Sequence, residues 1–485
     1  MAKGYGPLSG LVVIDLTQFL SGPLATMILA DLGADVIKIE RPDRPKASGP
    51  FLNGERIYDL SVQRSKRSVT LNLKMEADKK ILLELVKKAD VLVENFKPGT
   101  MERMGLGYDV ISKVNPRVIY MAISGFGYTG PYRERGALDM IIQGMSGLMS
   151  LTGDPDGPAM RCGTSASDVF TGLYAFGAMS AALYDREKTG KGQFVDVAML
   201  DSTFSCLENA VINTCVFHKN PQRVGNSHPT SVPFGTFPTA DDGEIIITCS
   251  RDAAFYNLCR ALGREDMITD PRYSKAEDRR QHKAELTEEI SKFTRAHTLD
   301  ECAAILEAHD VPNGRINTMT MICDDPQIAA RDMIVEVEHP VAGKYKMAGS
   351  PLKFGNYPET TYEPAPMLGQ HTQEVLKEYL GMPQEEIDEL LEKFIARWGY
   401  DPSVDVAPDC YMACDAFKLL TGAIEKAGST DPVAIRDALE ATEDLQGLTC
   451  AITFDPATHN VYRQVPIYQI VDGEFKQIEL YDLHA

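Results

Sequence analysis

Short, continuously apolar segments alternate with helix-like segments between residues 11 and 200 of the chain. Buried parallel strands read this way because helices cover both faces of their sheet. The predicted strands are 11–15, 35–40, 69–73, 91–95, 118–123 and 193–199, and the main predicted helices are 24–32, 76–89 and 168–186. The pattern predicts an α/β fold with a mostly parallel sheet that binds ligands beyond the carboxyl ends of its strands. No G-x-G-x-x-G motif follows these strands, so a dinucleotide site is not favoured.

Length and charge limit the classes of function that the chain can have. At 485 residues it is too long for one compact domain. Its formal net charge of −20, without a strongly basic segment, argues against a nucleic-acid partner. We expect neither a signal peptide nor a membrane span, since no apolar run is long enough. The ten cysteines are scattered, so we predict a cytoplasmic protein with reduced thiols and no metal.

Changes in the sequence pattern divide the chain into four predicted parts. They are a large α/β domain over 1–225, a small α+β domain over 226–315, a segment with short strands over 316–394, and a C-terminal α+β appendage over 395–485. In the appendage, predicted helices precede predicted strands at 448–454 and 465–471, and the Asp472-Gly473 that follows is a strong hairpin turn.

A single carboxylate, Asp168, stands near the start of a long helix of small and apolar residues. The unpaired N–H groups and the positive dipole end of a helix favour the ionised form of such an acid. An ionised carboxylate is suited to act as a nucleophile. It is equally suited to cap the helix, because Asp is a favoured N-cap residue. The local pattern leaves both interpretations open.

Sequence blocks spread over residues 5–394 resemble those of class III CoA-transferases, whose fold the α-methylacyl-CoA racemases share. They include DLTQFLSGP (15–23), LGADVIKIERP (32–42), VENFKPGTMERMGLGY (93–108) and TGKGQFVDVAMLDS (189–202). The number and order of the blocks make the resemblance specific. It implies a Rossmann-like large domain, a small domain, a segment 316–394 that packs again with the large domain, and a homodimer of two interlocked rings.

The resemblance also implies a role for Asp168. In that family an aspartate at this position attacks an acyl-CoA thioester, giving an aspartyl-acyl anhydride and then an aspartyl-CoA thioester. An acceptor acid attacks next and leaves with the CoA. A covalent route is reasonable, because a carboxylate and a thioester exchange poorly unless they are held together. The chain is therefore predicted to be an acyl-CoA:carboxylate CoA-transferase, with a coenzyme A thioester as substrate and no cofactor.

The same resemblance assigns CoA-binding positions. Coenzyme A needs cationic and N–H donors for its phosphates and an apolar slot for its adenine. The matching residues are Leu71, Lys74, Asn95, Phe96 and Arg103, with Arg41 as a further candidate. Without the resemblance, Lys74 and Arg103 would be read as solvated surface charges and Asn95 as a turn residue.

Departures from the family pattern bear on the choice between related activities. Racemases carry a histidine where Leu138 stands, and leucine cannot transfer a proton. Formyl-CoA:oxalate enzymes carry a glutamine where Leu20 stands and a Gly-rich loop where 245–251 is glycine-free, so oxalate is not specifically indicated. The alternatives are an acyl-CoA racemase or isomerase and a non-catalytic CoA-binding or scaffold protein. Asp139 and His228 are interpreted as structural or pocket-lining.

The tail, residues 395–485, resembles the C-terminal part of periplasmic leucine-type binding proteins. It corresponds to only a piece of one lobe, so we do not expect a working ligand cleft. A packed helical and hairpin appendage is favoured over a dimerisation or docking module, because such a fragment leaves apolar faces that need cover.

Overall fold

The computed structural model describes residues 6–42, 49–357, 360–388 and 390, together with the backbone of strands between 445 and 482. The chain divides into two compact units. The first comprises Met1–Ile39, Glu55–Arg67 and Leu71–Pro366, and the second comprises Glu40–Gly54, Ser68–Thr70 and Met367–Ala485. The helices predicted for the appendage lie outside the described residues.

Strands and helices alternate up to Phe217, much as the sequence predicts. The elements are β1 (Val12–Asp15), α1 (Ser21–Asp31), β2 (Asp35–Glu40), β3 (Phe51–Leu52), β4 (Glu55–Arg56), α2 (Ile57–Val62), β5 (Arg67–Thr70), α3 (Glu76–Val86), β6 (Val91–Glu94), α4 (Thr100–Arg103), α5 (Tyr108–Val114), β7 (Ile119–Ser124), α6 (Asp139–Met145), α7 (Leu148–Leu151), α8 (Ala166–Thr189), β8 (Gln193–Ala198), α9 (Met199–Ser205) and α10 (Glu208–Phe217). The predicted α/β fold with a parallel sheet is confirmed.

Within the first unit, five strands lie in the order β2-β1-β6-β7-β8, and every neighbouring pair is parallel. The chain passes from β1 to β2 on one side and returns through β6 on the other side. The strand order therefore reverses between β1 and β6. In open parallel sheets such a reversal leaves a crevice at the carboxyl ends, where ligands bind. The segments after β1 and β6 accordingly frame the expected site.

Helices α1 and α8 pack together on this sheet. Ala25 and Leu29 of α1 and Ala175 and Met179 of α8 share one buried apolar core with the strands. The contact is close at Gly172, where a Cβ atom would lie 2.8 Å from the carbonyl oxygen of Ser21. Only glycine therefore fits at that point without moving a helix, because real Cβ contacts do not come that near.

A separate hydrophobic core lies between Val232 and Val311, in the range where the sequence predicts a small domain. The range contains a three-stranded antiparallel sheet in the order β11-β10-β9. Its elements are β9 (Phe234–Pro238), β10 (Glu244–Thr248), α11 (Asp252–Ala261), a 3-10 helix (Glu265–Ile268), α12 (Ala276–Gln281), α13 (Lys283–Thr294), α14 (Leu299–Ala308) and β11 (Asn313–Arg315). The exact domain boundaries remain a prediction.

The guanidinium of Arg279 is the main polar anchor of this core. The side chain is buried, and it donates to the carbonyl oxygens of Val232 at 3.1 Å and Tyr273 at 2.9 Å. It also pairs with Asp252 at 2.5 Å and lies 4.5 Å from the centroid of the Phe255 ring. One side chain thereby joins the loop before β9 to α11 and α12.

The chain from Met319 to Ala348 contacts the first unit's residues 55–67. Its elements are α15 (Met319–Cys323), α16 (Pro326–Ala330), β12 (Ile334–His339) and β13 (Gly343–Ala348), the last two being antiparallel. Arg64 donates to the carbonyl of Ala348 at 2.5 Å, and its guanidinium also pairs with Asp31 at 2.6 Å. Through these two contacts, the side chain of Arg64 attaches β13 to the end of α1.

The second unit contains α17 (Thr372–Leu380) and an antiparallel sheet in the order β14-β15-β16-β17. The strands are β14 (Leu445–Gln446), β15 (Ala451–Asp455), β16 (Asn460–Val471) and β17 (Glu474–Asp482). Val471 pairs with Glu474, so the hairpin predicted around residues 472–473 is confirmed in its strands. None of the helices within the described ranges has the length and apolar character needed to cross a membrane.

Candidate active site

Asp168 is the third residue of α8, which begins at Ala166 with Ser165 as its N-cap residue. Asp168 is therefore not the N-cap residue, so the interpretation that its carboxylate is the N-cap of α8 is wrong. The helix begins two residues earlier than predicted, because Ala166 and Ser167 belong to its first turn. The carboxylate is partly buried and faces the first turn of α1.

Ser21 is the residue that meets the Asp168 carboxylate. The hydroxyl and the backbone N–H of Ser21 are the nearby donors that act to lower the pKa of this carboxylate. Because Ser21 is the first residue of α1, its N–H has no partner within that helix. The carboxylate therefore lies at the positive ends of two helix dipoles, its own and that of α1. Ser21 was not among the predicted site residues, although it stands in the segment after β1 where ligand contacts are expected.

Asp139 holds the start of α8 in place. Its Oδ1 accepts the backbone N–H of Ser167 at 2.9 Å, and its Oδ2 accepts Nε2 of Gln143 at 2.7 Å. The other end of the Gln143 amide accepts the N–H of Cys162 at 2.8 Å. Asp139 thus performs the capping that Asp168 was a candidate for, which agrees with its interpretation as a structural or pocket-lining residue.

Burial raises the pKa of Asp168 to about 6, and the nearby negative charge of Asp139 adds to the rise. The hydrogen bonds from Ser21 act in the opposite direction. The helix start was expected simply to favour the ionised form. That expectation is incomplete, because desolvation and the second carboxylate outweigh the favourable N–H groups. At pH 7 the group is still about nine-tenths ionised, since its pKa lies one unit below.

Tyr58, in α2, is a further group near this carboxylate that the sequence did not indicate. Burial raises its pKa to about 12, with the negative charge of Asp168 as the next contribution. The phenol is therefore neutral at physiological pH and able to donate a hydrogen bond. The guanidinium of Arg56 lies 4.7 Å from the centroid of the Tyr58 ring and fixes one face of it.

Three of the predicted CoA-binding residues follow β6. Asn95 is engaged twice by the backbone of Gln18, whose N–H donates to Oδ1 at 2.8 Å and whose carbonyl accepts Nδ2 at 2.7 Å. Phe96 is partly exposed, and the exposed Arg103 ends α4 with a hydrogen bond to Thr100 at 2.9 Å. The Asn95–Gln18 pair joins the segments after β1 and β6, where the strand order reverses.

Glu94, the last residue of β6, is fully buried beside these residues. Its carboxylate accepts the N–H of Phe96 at 2.8 Å and the hydroxyl of Tyr128 at 2.8 Å. Burial raises the pKa of Glu94 to about 7, and the charges of Glu102 and Asp196 raise it further against those two hydrogen bonds. Glu94 therefore links the segments after β6 and β7 through a carboxyl that titrates near neutral pH.

The remaining predicted CoA-binding residues follow other strands. Leu71 is buried and Lys74 is exposed, both just after β5, which ends at Thr70 rather than at the predicted residue 73. Arg41 is exposed just after β2 and belongs to the second unit. Every predicted CoA-binding residue thus lies past the carboxyl end of a strand, and their joint contact with one ligand remains a prediction.

The positions that depart from the family pattern are also located. Leu138 precedes α6 with 62% of its surface exposed, and it carries no group that could shuttle a proton. Leu20 is the N-cap of α1, directly before Ser21. The Nδ1 of His228 accepts the backbone N–H groups of Thr230 at 3.2 Å and Ser231 at 3.0 Å, which fits the structural role expected for it.

Comparison with known proteins defines the class to which this fold and site belong. Residues 8–372 match CoA-transferase family III, which is most of the described chain. The chain therefore belongs to CoA-transferase family III, as the sequence blocks predict.

Individual relatives agree with this assignment. The acetyl-CoA:oxalate CoA-transferase of Acetobacter aceti is 42% identical over 387 residues, covering 78% of this chain and 97% of the relative. The human succinyl-CoA:glutarate CoA-transferase is 38% identical over 389 residues, covering 79% and 89%. The crystal structure of a CAIB/BAIF family protein from Brucella suis superposes with a TM-score of 0.68 at 36% identity, covering 77% and 99%. The predicted CoA-transferase class is thereby confirmed.

Proposed function

We propose that this protein transfers coenzyme A from an acyl-CoA to a free carboxylic acid through covalent intermediates on Asp168. The observation that carries the proposal is the environment of that carboxylate. The hydroxyl and backbone N–H of Ser21 supply donors beside it, while burial and Asp139 make it a stronger base than a solvated aspartate. A carboxylate that is mostly ionised yet partly desolvated is a competent nucleophile.

The reaction balances without proton transfer. Asp168 attacks the thioester carbonyl carbon, so that a C–O bond forms, the C–S bond breaks, and an anhydride and CoA thiolate result. The thiolate attacks the aspartyl carbonyl, releasing the donor acid and forming an aspartyl-CoA thioester. The acceptor carboxylate attacks that thioester and expels the thiolate again. The thiolate then takes the acceptor's acyl group and frees Asp168. An exposed leucine at position 138 is no obstacle, because no step needs an acid or a base there.

We infer that coenzyme A lies along residues 71–74 and the segments that follow β1 and β6. Lys74 and Arg103 are exposed cations that suit its phosphates, and Phe96 offers a partly exposed ring for the adenine. Asn95 supports this surface through Gln18. Arg41 stays a further candidate on the family resemblance alone. A small dicarboxylate is the proposed acceptor class, because relatives are named for oxalate and glutarate.

We also propose a homodimer, with the interlocked arrangement that the family resemblance implies. Helix α10 has no buried residue. Its apolar side chains Ile212, Val216 and Phe217 are 59%, 60% and 65% exposed, and Phe204 of α9 is also exposed. Contiguous apolar surface of this kind marks an association face. Light scattering should give the mass of a dimer for the wild-type chain, and a monomer of undiminished activity would contradict the assembly.

The covalent route is tested by trapping. The protein is incubated with acyl-CoA and hydroxylamine, and the peptide that contains Asp168 is examined by mass spectrometry. A hydroxamate on Asp168 is expected, and Asp168→Asn should remove both the hydroxamate and the CoA exchange. An unmodified peptide while CoA exchange proceeds over a panel of acyl-CoA donors would overturn the covalent proposal. CoA binding without exchange to any acid would instead support a non-catalytic CoA-binding protein.

A further inference from the structure

A buried ion cluster lies beneath the segment that connects β1 to α1. Asp15, Lys38 and Lys66 form it, and all three side chains are at most 5% exposed. Asp15 ends β1 and pairs in register with Lys38 of β2, while Lys66 directly precedes β5. The ammonium groups of Lys38 and Lys66 lie 3.2 Å and 3.1 Å from the two oxygens of Asp15.

Each lysine also donates to one end of residues 17–23. Nζ of Lys38 donates to the carbonyl oxygen of Thr17, and Nζ of Lys66 donates to the carbonyl oxygen of Pro23 at 3.0 Å. Asp15 itself accepts the N–H and the hydroxyl of Thr17, at 2.8 Å and 2.6 Å. The backbone of the segment is therefore held from below at its first and last residues.

Asp15 also reaches into α1. Its Oδ2 accepts the hydroxyl of Thr26 at 2.7 Å, so the cluster is attached to the first turns of that helix. Burial alone would raise the pKa of Asp15, but Lys38, Lys66 and the hydroxyls of Thr17 and Thr26 together hold it well below its usual range. The Asp15 carboxylate is consequently ionised, and it lies between the ammonium groups of Lys38 and Lys66.

Residues 17–23 contact both parts of the proposed site, the segment that follows β6 and the Asp168 carboxylate. The backbone of Gln18 makes the two hydrogen bonds with Asn95, and Ser21 makes the contacts with the Asp168 carboxylate. Buried ion pairs are weak contributors to net stability, because desolvation offsets most of their attraction. Lys66 also donates to Oε1 of Gln63 at 2.8 Å. Each lysine nevertheless gives one donor to the segment that carries Gln18 and Ser21, which points to a positioning role beyond fold stability.

We propose that Asp15, Lys38 and Lys66 are positioning residues of the active site, which fix residues 17–23 so that Ser21 is aimed at the Asp168 carboxylate. The inference rests on the proposed function of Asp168. All three side chains are buried beneath this segment. They act through the backbone of Thr17 and Pro23, and their effect reaches the reaction only at Asp168.

Two variants test the inference. Lys66→Met removes the contact with Pro23, and Thr26→Val removes one donor to Asp15 without changing any charge. Either variant should weaken the hold of Ser21 on the ionised Asp168. We expect the pKa of Asp168 to rise, by about one unit in Lys66→Met and about half a unit in Thr26→Val, because hydrogen bonds to a charged group are worth one to two units. Asp139 and Tyr58, the other groups facing Asp168, are unchanged in both.

The pKa of Asp168 is read in two independent ways. The first is the pH profile of hydroxamate formation on Asp168 in a single turnover, which should move to higher pH. The second is the difference in unfolding free energy caused by Asp168→Asn, measured against pH in the wild-type and variant backgrounds. A purely structural cluster would lower stability at all pH values and leave both readings where they are.

Matched controls make comparable substitutions elsewhere in the first unit. Thr203→Val removes a buried hydroxyl that bonds only within α9, at 2.8 Å to the carbonyl of Met199. Arg64→Met removes the buried ion pair at the far end of α1. Both should leave the titration of Asp168 unchanged.

If Lys66→Met does not fold, the titration of Asp168 in Thr26→Val tests the positioning role by itself. Folded variants with an unshifted Asp168 titration would overturn the positioning role. Absence of a hydroxamate in the wild type would overturn the proposed function alone, since the Asp168→Asn stability comparison still reports the position of Ser21.

Discussion

The side-chain amide of Asn95 pairs with the backbone of Gln18 as a neighbouring strand would. The N–H of Gln18 donates to Oδ1 at 2.8 Å, and Nδ2 donates to the carbonyl of Gln18 at 2.7 Å. We predict that Asn95→Ala weakens CoA binding about tenfold, because two hydrogen bonds of modest net value are lost between the segments that frame the site. Calorimetric titration with CoA measures the effect. Gln18→Ala is the matched control: the two bonds use only the backbone of Gln18, so its affinity should stay near the wild-type value. A reversed order of the two variants would contradict the pairing.

The environment of Asp168 predicts that replacing this residue abolishes activity and raises the stability of the protein. Its pKa of about 6 lies above the value of 3.8 expected in an unfolded chain, so the native state loses stability as pH rises from about 4 to 6. Asp168→Asn should abolish CoA transfer and stabilise the protein by about 1 kcal/mol at pH 8, after allowance for the partial exposure of the group.

Thermal unfolding at pH 8 and pH 4 measures this gain, which should be absent at the lower pH. Asp185→Asn, an exposed position on the same helix, should change neither curve. Destabilisation by Asp168→Asn at both pH values would restore a structural role for the carboxylate.

Glu94 predicts a second pH effect with the same sign. Its pKa of about 7 exceeds the unfolded value of 4.5, so the stability that the neutral carboxyl provides is present below pH 4.5 and declines as pH rises through 7. The full decline amounts to roughly 3 kcal/mol. Glu94→Gln should flatten it, because the amide stays neutral while still accepting the Tyr128 hydroxyl.

Chemical unfolding at pH 5 and pH 8 provides the comparison for Glu94. Glu307→Gln serves as the control, since Glu307 is exposed and is not among the charges that act on Glu94. Parallel pH profiles for the wild type and Glu94→Gln would show that Glu94 is not the titrating group.

Arg279 should be indispensable to the core between Val232 and Val311. Arg279→Met leaves the carbonyl oxygens of Val232 and Tyr273 buried without their donor, which should cost about 3 kcal/mol locally. Hydrogen exchange of the amides in that range reports the loss directly. Arg295→Met, which breaks an exposed ion pair with Glu288, should cost less than about 1 kcal/mol. Equal protection in the two variants would mean that Arg279 is replaceable.

The sequence predicted the elements of the fold well and the contacts of the site less well. Apolar runs such as Val91–Glu94 and Gln193–Ala198 identify strands because burial on both faces demands continuous hydrophobicity. Asp168 was found through its helix start and the family blocks. Ser21 and Tyr58 were not found, because their proximity to Asp168 arises only when α1, α2 and α8 pack, and no local pattern encodes that.

The electrostatics of the site were also beyond sequence reasoning. A helix start predicts a favoured negative charge, yet the pKa of Asp168 depends on burial and on Asp139. For Asn95 the sequence indicated a ligand contact, and the structure shows the amide occupied by Gln18. Both cases involve residues distant in sequence that converge at the reversal of strand order.

Gly172 bears on how such a chain can change. It lies one helical turn after Asp168 and leaves room for the carbonyl of the same serine that the carboxylate contacts. A methyl group added there would act as a wedge between α1 and α8 and would lengthen the reach from Ser21 to Asp168. Substitutions at position 172, which carries no functional group, can therefore change the reactivity of the Asp168 carboxylate.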